Sequence, residues 1–257
     1  MAETQKRATK LPRVGGTCDK IAPILLLIGA VLTTIGFILT FTLAPLVNGA
    51  AVSGAELIGD QIVANKLLLS QKIFYFHMPV AITSFVALAF TAYYGARFLA
   101  TKKACYDLRA RFATEIALLF IMCTMFSGEL WERFEWGVWW TWEPRLTTYF
   151  ILMLLVIAYF ILRNAIDDPE RRAVYASVFG IIAFVDAPIC FLITRLVPSG
   201  VHPVVFRTDS GLSPDMLIPL LISMFGMFML AFALYRLRLR AGLLEEKVET
   251  LKQQLED

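Results

Sequence analysis

Histidine is the scarcest chemically versatile residue in this sequence, with only two among 257 residues, His77 and His202. The four cysteines form no CxxC pair and no metal-ligand spacing, which argues against a zinc site or a redox dithiol. Charged residues make up only 18% of the chain, whereas 58% of its residues are hydrophobic. This composition is too apolar for a soluble domain and is typical of a polytopic membrane protein. The net charge of +3 is small, and we expect no nucleic-acid partner.

Six stretches are long and apolar enough to cross a hydrocarbon core of roughly 30 Å, which requires about 20 helical residues. The predicted spans are residues 21–46, 74–99, 112–126, 147–162, 174–196 and 216–235. The third span has the weakest signal, because it carries Glu115 near its start and becomes polar by Ser127. We therefore predict an all-α membrane protein built as a bundle of six transmembrane helices.

Basic residues concentrate in alternate segments of the chain, before the first predicted span and after the second, fourth and sixth. These residues are Lys6, Arg7, Lys10, Arg13, Lys20, Arg97, Lys102, Lys103, Arg109, Arg111, Arg163, Arg171, Arg172, Arg236, Arg238 and Arg240. The positive-inside rule then places both termini in the cytoplasm and three loops outside, an N-in/C-in topology. Membrane lipid is accordingly expected around the bundle.

All five tryptophans lie in one segment, residues 131–146, which has the sequence WERFEWGVWWTWEPRL and falls in the second outer loop. Tryptophan is common at membrane–water interfaces, so an aromatic anchor is one interpretation. Clustering in a single segment favours a second interpretation, a platform for a planar aromatic ligand. Trp136, Trp139 and Trp140 have i, i+3, i+4 spacing, so a helical turn there would put three indoles on one face.

The two histidines lie in the outer loops that flank the tryptophan segment. His77 lies near the start of the second predicted span, and His202 lies in the third outer loop. Neutral imidazole is a good iron ligand, and haem iron accepts two axial donors. If the loops converge, His77 and His202 would face each other across a planar ligand; the alternative is that each histidine only forms hydrogen bonds at the interface.

Two cations accompany this proposed site. Lys72 lies just outside the start of the second span, and Arg145 follows the tryptophans. Either cation could pair with a ligand carboxylate such as a haem propionate. The alternative is an ordinary interfacial role in which the aliphatic stem packs on apolar surface while the charge reaches water.

Four carboxylates make the tryptophan loop acidic: Glu129, Glu132, Glu135 and Glu143. We expect most of them to be solvated. Glu143 differs because it precedes Pro144, and a residue before proline resists the α conformation, so a helical turn should end there.

Two further acidic residues fall within predicted spans, Glu115 and Asp186. An intramembrane carboxylate is costly and by default indicates function. Pro188 follows Asp186 closely, so that acid could instead satisfy backbone groups freed by the proline. The sequence leaves the two interpretations of Asp186 open.

The run WGVWWTWEPRLT, from Trp136 to Thr147, resembles the tryptophan-rich "WWD" signature of the haem exporter protein C (CcmC) family, haem-handling membrane proteins of cytochrome c maturation. The resemblance extends from the first span to the sixth. The family has one histidine before the motif and one after it in outer loops, which His77 and His202 match. A basic residue five positions before the first histidine is matched by Lys72.

The chain departs from the family pattern at two positions. The acidic residue of the motif, usually aspartate, is Glu143 here, and Pro144 follows it. Lys72 stands where arginine is more familiar, which gives a point charge without a bidentate fork.

The resemblance implies a non-enzymatic haem-binding and haem-delivery protein of the bacterial inner (plasma) membrane, which holds haem b on its periplasmic face between His77 and His202. The residues expected to contact the haem are Trp131, Trp136, Trp139, Trp140, Trp142, Glu143, Arg145 and Lys72. The resemblance also implies three partners in the same maturation system: the haem chaperone CcmE, an ABC-type ATPase complex and the small subunit CcmD.

Two other functions are compatible with the residues. An electron-transfer cytochrome b subunit would share bis-histidine ligation, but it normally buries its histidines within facing helices. A transporter of a flat amphiphile would use the tryptophans as an entry vestibule and a mid-membrane route lined by Asp186 or Glu115.

The sequence changes character after the sixth span, which suggests a domain of residues 1–235 followed by a cytoplasmic helical tail of residues 236–257. Apolar residues in the tail alternate spacings of four and three, which is the pattern of a coiled-coil seam. These residues are Leu237, Ala241, Leu244, Val248, Leu251 and Leu255. We expect a helix that extends the sixth span and either pairs with a partner or frays in solvent.

Overall fold

The computed structural model describes residues 17–45, 71–197 and 212–256, and in these ranges it contains α-helices and one short 3-10 turn but no strand. The helices are α1 (Thr17–Thr42), α2 (Phe74–Thr101), α3 (Ala104–Glu135), α4 (Pro144–Ala165), α5 (Pro169–Leu196) and α6 (Pro214–Glu256). The 3-10 turn, Gln71–Ile73, leads directly into α2. All six helices are long and apolar enough to cross a membrane, so the prediction of an all-α, six-span membrane protein is confirmed.

Helix α3 is about twice as long as the span of residues 112–126 predicted for it. Its polar residues do not interrupt the helix because each has a partner. Glu115 Oε2 accepts a hydrogen bond from Arg238 Nε at 2.8 Å, and Arg111 Nε lies 3.4 Å from its other oxygen. Ser127 Oγ donates to the carbonyl of Cys123, one turn earlier, at 2.8 Å. Because these polar groups have hydrogen-bond or ion-pair partners, the helix can continue well beyond the purely apolar stretch.

Helices α4 and α5 begin with the same local device, an acidic N-cap followed by proline. Glu143 Oε1 accepts from the backbone N–H of Leu146 at 2.8 Å, and Asp168 Oδ1 accepts from that of Arg171 at 2.7 Å. Each acid has an extended backbone, as expected before proline, and each proline occupies the first turn, where a missing N–H costs nothing. The Glu143–Pro144 pair therefore starts a helix.

The core lies between α2, α3, α4 and α5, where Leu88, Ile121 and Leu152 are fully buried. Helix α2 packs against α3 and α5, while α4 packs mainly against α5. A hydrogen bond of 2.9 Å between Ser84 Oγ and Tyr149 Oη links α2 to α4 inside this core. The same four helices surround the cavity described below, so the core holds its walls in place.

Helix α1 packs on α6 along small residues. A Cβ placed on Gly29 would lie 2.9 Å from the carbonyl oxygen of Gly226, so the two backbones touch and any larger residue would separate them. Small residues allow this close approach where apolar burial alone does not drive helix association in lipid.

Helix α6 continues without a break past residue 235, which confirms that the tail extends the sixth span as a helix. Leu239 and Leu243 are buried against Leu108 and Phe112 of α3. Beyond them the apolar stripe of the tail is exposed, at Leu244, Val248, Leu251 and Leu255. Pairing of that stripe with a partner, and the division of the chain at residue 235, stay predictions.

Candidate functional site

A cavity of about 460 Å³ lies among α2, α3, α4, α5 and the segment that joins α3 to α4. It brings together five of the residues predicted from sequence: His77, Trp131, Trp136, Trp140 and Arg145. Its volume falls in the range of small-molecule sites, roughly 300–1,000 Å³. Residues that lie up to 68 positions apart in the chain thus face one space.

His77 lies in the first turn of α2, and its imidazole packs against the neighbouring helix α3. Its Nδ1 lies 3.0 Å from Ser127 Oγ. The indole of Trp131 meets the ring edge to face, with centroids 5.9 Å apart. The ring is therefore held by a hydrogen bond and an aromatic contact, both from α3.

Residues 136–143 of the tryptophan segment are not helical, so Trp136, Trp139 and Trp140 do not share a helical face as the spacing suggested. Helix α3 ends at Glu135, and the N–H of Trp136 makes the closing bond to Glu132 O at 2.8 Å. The next residue, Gly137, has φ +74°, the left-handed conformation that commonly terminates helices. The chain then runs without regular structure to the start of α4.

The five indoles divide into two groups. Trp131, Trp136 and Trp140 line the cavity, whereas the side chains of Trp139 and Trp142 are 60% and 73% exposed and do not line it. The exposed pair fits the alternative interpretation, an aromatic anchor at the membrane interface, and the other three fit a ligand platform. Each interpretation of the tryptophan cluster is therefore consistent with some of the five tryptophans.

Arg145, at the start of α4, points a cation at the cavity. Among the described residues its guanidinium forms no hydrogen bond or ion pair, and Glu143 attracts it only over a longer distance. The Nε1 of Trp140, also at the cavity, is buried and has no hydrogen-bond partner in the described part of the chain. A buried donor such as Trp140 Nε1 is normally satisfied, so it and the Arg145 guanidinium can both serve an anionic group of a ligand.

Besides Trp139 and Trp142, two more of the predicted contacts do not line the cavity. Glu143 is only 8% exposed and caps the N-terminus of α4 through its carboxylate. Lys72 is 6% exposed, and its Nζ donates to Thr40 O at 2.7 Å and to Ala44 O at 2.5 Å. These carbonyls lie at the end of α1, where a cation is favoured by the helix dipole. His202, the predicted second axial ligand, lies outside the described residues.

Three carboxylates line the cavity on the α3 side: Glu129, Glu132 and Glu135. The expectation of solvation fails for Glu132, which is only 4% exposed. The reason is that α3 continues to residue 135, which places Glu132 one turn after Gly128 on the inner face of the helix. The cavity therefore carries one buried acid, Glu132, in addition to the half-buried Arg145.

Several lining residues were not predicted, namely Gly128, Tyr149 and Cys190, and neither was the contact of Ser127 with His77. Gly128 carried a usable signal, because it lies three residues before Trp131 and therefore shares its helix face. Tyr149 and Cys190 had no local signal. Cys190 Sγ lies 3.5 Å from Asp186 Oδ2, so a thiol one turn away partners the acid within α5.

Comparison with known families identifies the family to which the chain belongs. The family model described as CcmC, heme exporter protein C, matches residues 64–254, well over half of the chain. The chain belongs to this family. The matched range covers the cavity residues of α2 through α5 and most of α6.

Relatives named heme exporter protein C occur in several bacteria. The protein of Escherichia coli (strain K12) is 27% identical over 232 residues, which cover 89% of this chain and 86% of the relative. That of Bradyrhizobium diazoefficiens is 28% identical over 183 residues, 70% of each chain. That of Rhodobacter capsulatus is 26% identical over 194 residues, 74% of this chain and 80% of the relative. The similarity therefore spans most of the transmembrane bundle.

Proposed function

We propose that this CcmC family member is a non-enzymatic membrane protein that binds haem b in the cavity between α2, α3, α4 and α5 and delivers it for cytochrome c maturation. The observation that carries the proposal is the convergence of one imidazole, three indoles and an arginine without an ion pair among the described residues on a single space. Imidazole is an iron ligand, indoles suit a planar macrocycle, and arginine suits a carboxylate.

His77 is the proposed axial ligand within the described part of the chain. Its Nδ1 lies 3.0 Å from Ser127 Oγ, and Nε2 is the nitrogen that we propose binds the iron. His202 is the proposed second ligand on the opposite face of the haem, because it is the only other histidine of the chain. Two neutral imidazoles would make the site a bis-histidine haem site.

Arg145 and the Nε1 of Trp140 are the proposed contacts for the haem propionates. Both lie at the cavity, and neither has a hydrogen-bond partner among the described residues. The ammonium of Lys72 is already held by two carbonyls at the end of α1, so of the two predicted cations we assign only Arg145 to the propionates. Trp131, Trp136 and Trp140 supply apolar wall, whereas Trp139 and Trp142 are assigned to the membrane interface.

We further propose that the cavity faces the periplasm from the inner membrane, following the distribution of basic residues along the chain. In that position haem can pass to the chaperone CcmE, and the ABC-type ATPase complex and CcmD would assist its release. The proposed site uses only binding groups, and delivery needs no bond-making residue.

The test is a haem titration of the purified protein in detergent or lipid discs, followed by its visible spectrum. We expect the wild type to bind one haem with a six-coordinate, low-spin spectrum. His77→Ala should lose one axial ligand and become high-spin, and His202→Ala should do the same from the other face. Arg133→Gln provides the control, because this exposed arginine stacks on Trp139 outside the cavity.

A wild type that takes up no haem when haem is in excess would refute the proposed site. A low-spin spectrum that survives both histidine substitutions would instead refute the ligand assignment. Addition of purified CcmE to the haem-loaded protein tests delivery, and we expect the haem to move to CcmE with the wild type and not with His77→Ala.

No observation on the described residues specifically supports either alternative function. An electron-transfer cytochrome would bury facing histidines within helices, whereas His77 lies in the first turn of α2. A transport route would use Glu115 or Asp186, but Glu115 is held by Arg238 and Arg111, and neither acid lines the cavity. The geometry therefore favours haem binding and delivery.

A further inference from the structure

Three helices bring arginine and tyrosine side chains together at the end of the bundle opposite the cavity. Tyr94 lies on α2, Arg109 on α3, and Tyr235 and Arg236 on α6. The guanidinium carbon of Arg109 lies 5.8 Å from the centre of the Tyr94 ring, and Tyr235 lies within electrostatic range of both arginines. We refer to these four residues as the arginine–tyrosine cluster.

Two hydrogen-bond donors of the cluster lack an acceptor. The Nε of Arg109 and the Oη of Tyr235 are buried, and neither has a hydrogen-bond partner among the described residues. Both atoms belong to partly buried side chains, and buried donors are normally satisfied. A guanidinium and a phenol that converge in this way can donate together to the oxygens of a phosphate group.

Arg109 also differs from its neighbours in having no counter-charge in the described part of the chain. Two residues earlier on α3, Asp107 is bound by Arg163, and two turns later Glu115 is bound by Arg238. The carboxylates nearest to Arg109 along its helix are therefore engaged by other arginines. The positive charge of Arg109 is thus left for a ligand of negative charge.

The position of the cluster along the bundle matches the depth of a lipid headgroup. Tyr94 is 17 residues beyond His77 on α2, which is roughly 26 Å along the helix axis. A hydrocarbon core is roughly 30 Å thick, so a bundle with His77 near one interface has the cluster near the other. The basic α2–α3 turn, with Lys102 and Lys103, assigns this end to the cytoplasmic leaflet by the positive-inside rule.

Exposed aromatic side chains extend from the cluster toward the middle of the membrane. Phe90 lies one turn before Tyr94 on α2, and it is 50% exposed, with its ring 6.3 Å from that of Tyr94 in a stacked contact. Phe232 lies three residues before Tyr235, on the same side of α6, and is also exposed. These rings offer apolar surface to an acyl chain whose headgroup lies at the cluster.

We propose that the arginine–tyrosine cluster binds the phosphate group of an anionic phospholipid of the cytoplasmic leaflet. Arg109 and Tyr235 donate to the phosphate oxygens, and an acyl chain lies along Phe90. Basic sites between transmembrane helices on the cytoplasmic side are suited to such headgroups. A zwitterionic headgroup carries the same phosphate, but its ammonium is repelled by the arginines. The site is separate from the haem cavity and does not depend on haem binding.

The first experiment compares two lipids with identical acyl chains by native mass spectrometry of the protein in detergent. The wild type should bind phosphatidylglycerol about tenfold more tightly than phosphatidylcholine, because two arginines attract the anionic headgroup. Arg109→Gln should weaken the binding of phosphatidylglycerol by about tenfold or more, the effect of one charge-assisted hydrogen bond. Tyr235→Phe keeps the apolar packing of the ring on α3 and should lose about fivefold.

The matched control is Arg171→Gln, which removes the same charge on the same side of the membrane. Arg171 is an exposed residue at the start of α5. Its substitution should leave the affinity for phosphatidylglycerol within about twofold, because attraction to a distant charge is screened. Arg109→Lys keeps the charge without the planar fork, and its affinity should lie between those of the wild type and Arg109→Gln.

Inorganic phosphate distinguishes a lipid headgroup from a soluble anion. It carries the recognised group but no acyl chain, so at millimolar concentration it should not displace phosphatidylglycerol. Phe90→Ala should weaken the binding of the lipid, because it removes apolar contact with the chain. Displacement by inorganic phosphate, together with unchanged lipid affinity in Phe90→Ala, would overturn the assignment to a phospholipid.

Thermal unfolding supplies a readout of the folded protein. Phosphatidylglycerol should raise the unfolding temperature of the wild type and of Arg171→Gln, because a ligand of the native state stabilises it, and it should do so much less for Arg109→Gln. The inference is overturned if the two lipids bind the wild type equally, or if Arg109→Gln binds phosphatidylglycerol as tightly as Arg171→Gln does. A protein that binds no haem but shows this lipid selectivity would refute the proposed function and leave the lipid site standing.

Discussion

Trp140 and Trp142 are two residues apart in the chain, and their ring centroids lie 5.6 Å apart in an edge-to-face contact, yet they face different surroundings. Trp140 lines the cavity, and its ring also packs on Phe150 at 5.7 Å. Trp142 is 73% exposed and does not line the cavity. Replacing Trp140 therefore tests the cavity wall, whereas replacing Trp142 tests the interface. Each substitution removes the same side chain, so the two variants can be compared directly.

Replacing Trp140 with alanine should weaken haem binding about tenfold, because one aromatic contact is worth about 1 kcal/mol, close to the ~1.4 kcal/mol of a tenfold change. Trp142→Ala should leave the dissociation constant within about threefold. The measurement is a haem titration followed by tryptophan quenching and visible absorbance. An equal loss in both variants would contradict the division of the indoles into a cavity group and an interface group.

Arg145→Gln should raise the haem dissociation constant by about 10–100-fold, because a charge-assisted hydrogen bond is worth ~1.5–3 kcal/mol. The ligand offers its own control. Haem whose propionates are esterified should bind the wild type with a similar loss, and it should bind Arg145→Gln with little further loss. Additive losses in the two changes would show that Arg145 contacts another part of the ligand.

The number and class of the helices could be predicted from sequence because each depends on local composition. A run of apolar residues about 20 long is enough to identify a span. The ends were harder to predict. Helix α3 extends beyond its predicted span at both ends, and one reason that its polar start was hard to predict is that the distance in sequence between Glu115 and Arg238 carries no signal for that pair.

The members of the site were predicted where residue chemistry was distinctive, as for His77 and Arg145. Their arrangement was not, because it depends on contacts between helices. The left-handed Gly137 turns the chain out of α3, which divides the tryptophans between cavity and surface. Lys72 is drawn to the end of α1, although in sequence it lies only five positions before His77. Serine and cysteine are not distinctive residue types in a sequence, so the positions of Ser127 and Cys190 at the cavity become evident only from the contacts between helices.

A buried ion pair joins α3 to α4 at the opposite end of these helices from the cavity. Arg163 binds both carboxylate oxygens of Asp107, at 2.6 and 2.9 Å, and their side chains are only 9% and 18% exposed. Asp107→Ala should lower the free energy of unfolding by about 3 kcal/mol, because the arginine is left buried without its partner.

The double variant Asp107→Leu with Arg163→Met should be close to the wild type in stability, since an apolar pair of similar size removes both the attraction and the cost of desolvation. Arg111→Ala serves as the control; its side chain is 44% exposed, and Glu115 keeps Arg238, so the loss should stay below about 1 kcal/mol. Unfolding in detergent, followed by circular dichroism, measures all four proteins. A double variant as unstable as Asp107→Ala would mean that the pair itself contributes net stability.

The tail of α6 should contribute to stability only as far as Leu243. Leu239 and Leu243 are 2% and 3% exposed against Leu108 and Phe112, whereas the apolar residues that follow are open to solvent. A chain ended after Lys247 should therefore unfold at the same temperature as the full-length protein and bind haem equally well. Leu243→Ala in the full-length chain should cost about 2 kcal/mol or more, because it leaves a cavity between α3 and α6.

The same pair of proteins separates structural from partner roles of the tail. If the exposed stripe binds a partner, the truncated chain should keep its own stability but lose co-purification of that partner. Leu243→Ala should instead lose stability and keep the partner. A truncated chain that is itself destabilised as much as Leu243→Ala would contradict the assignment of residues 248–257 to contacts outside the bundle. Because both variants keep the cavity residues, haem affinity in each confirms that any loss of partner binding is not caused by an altered site.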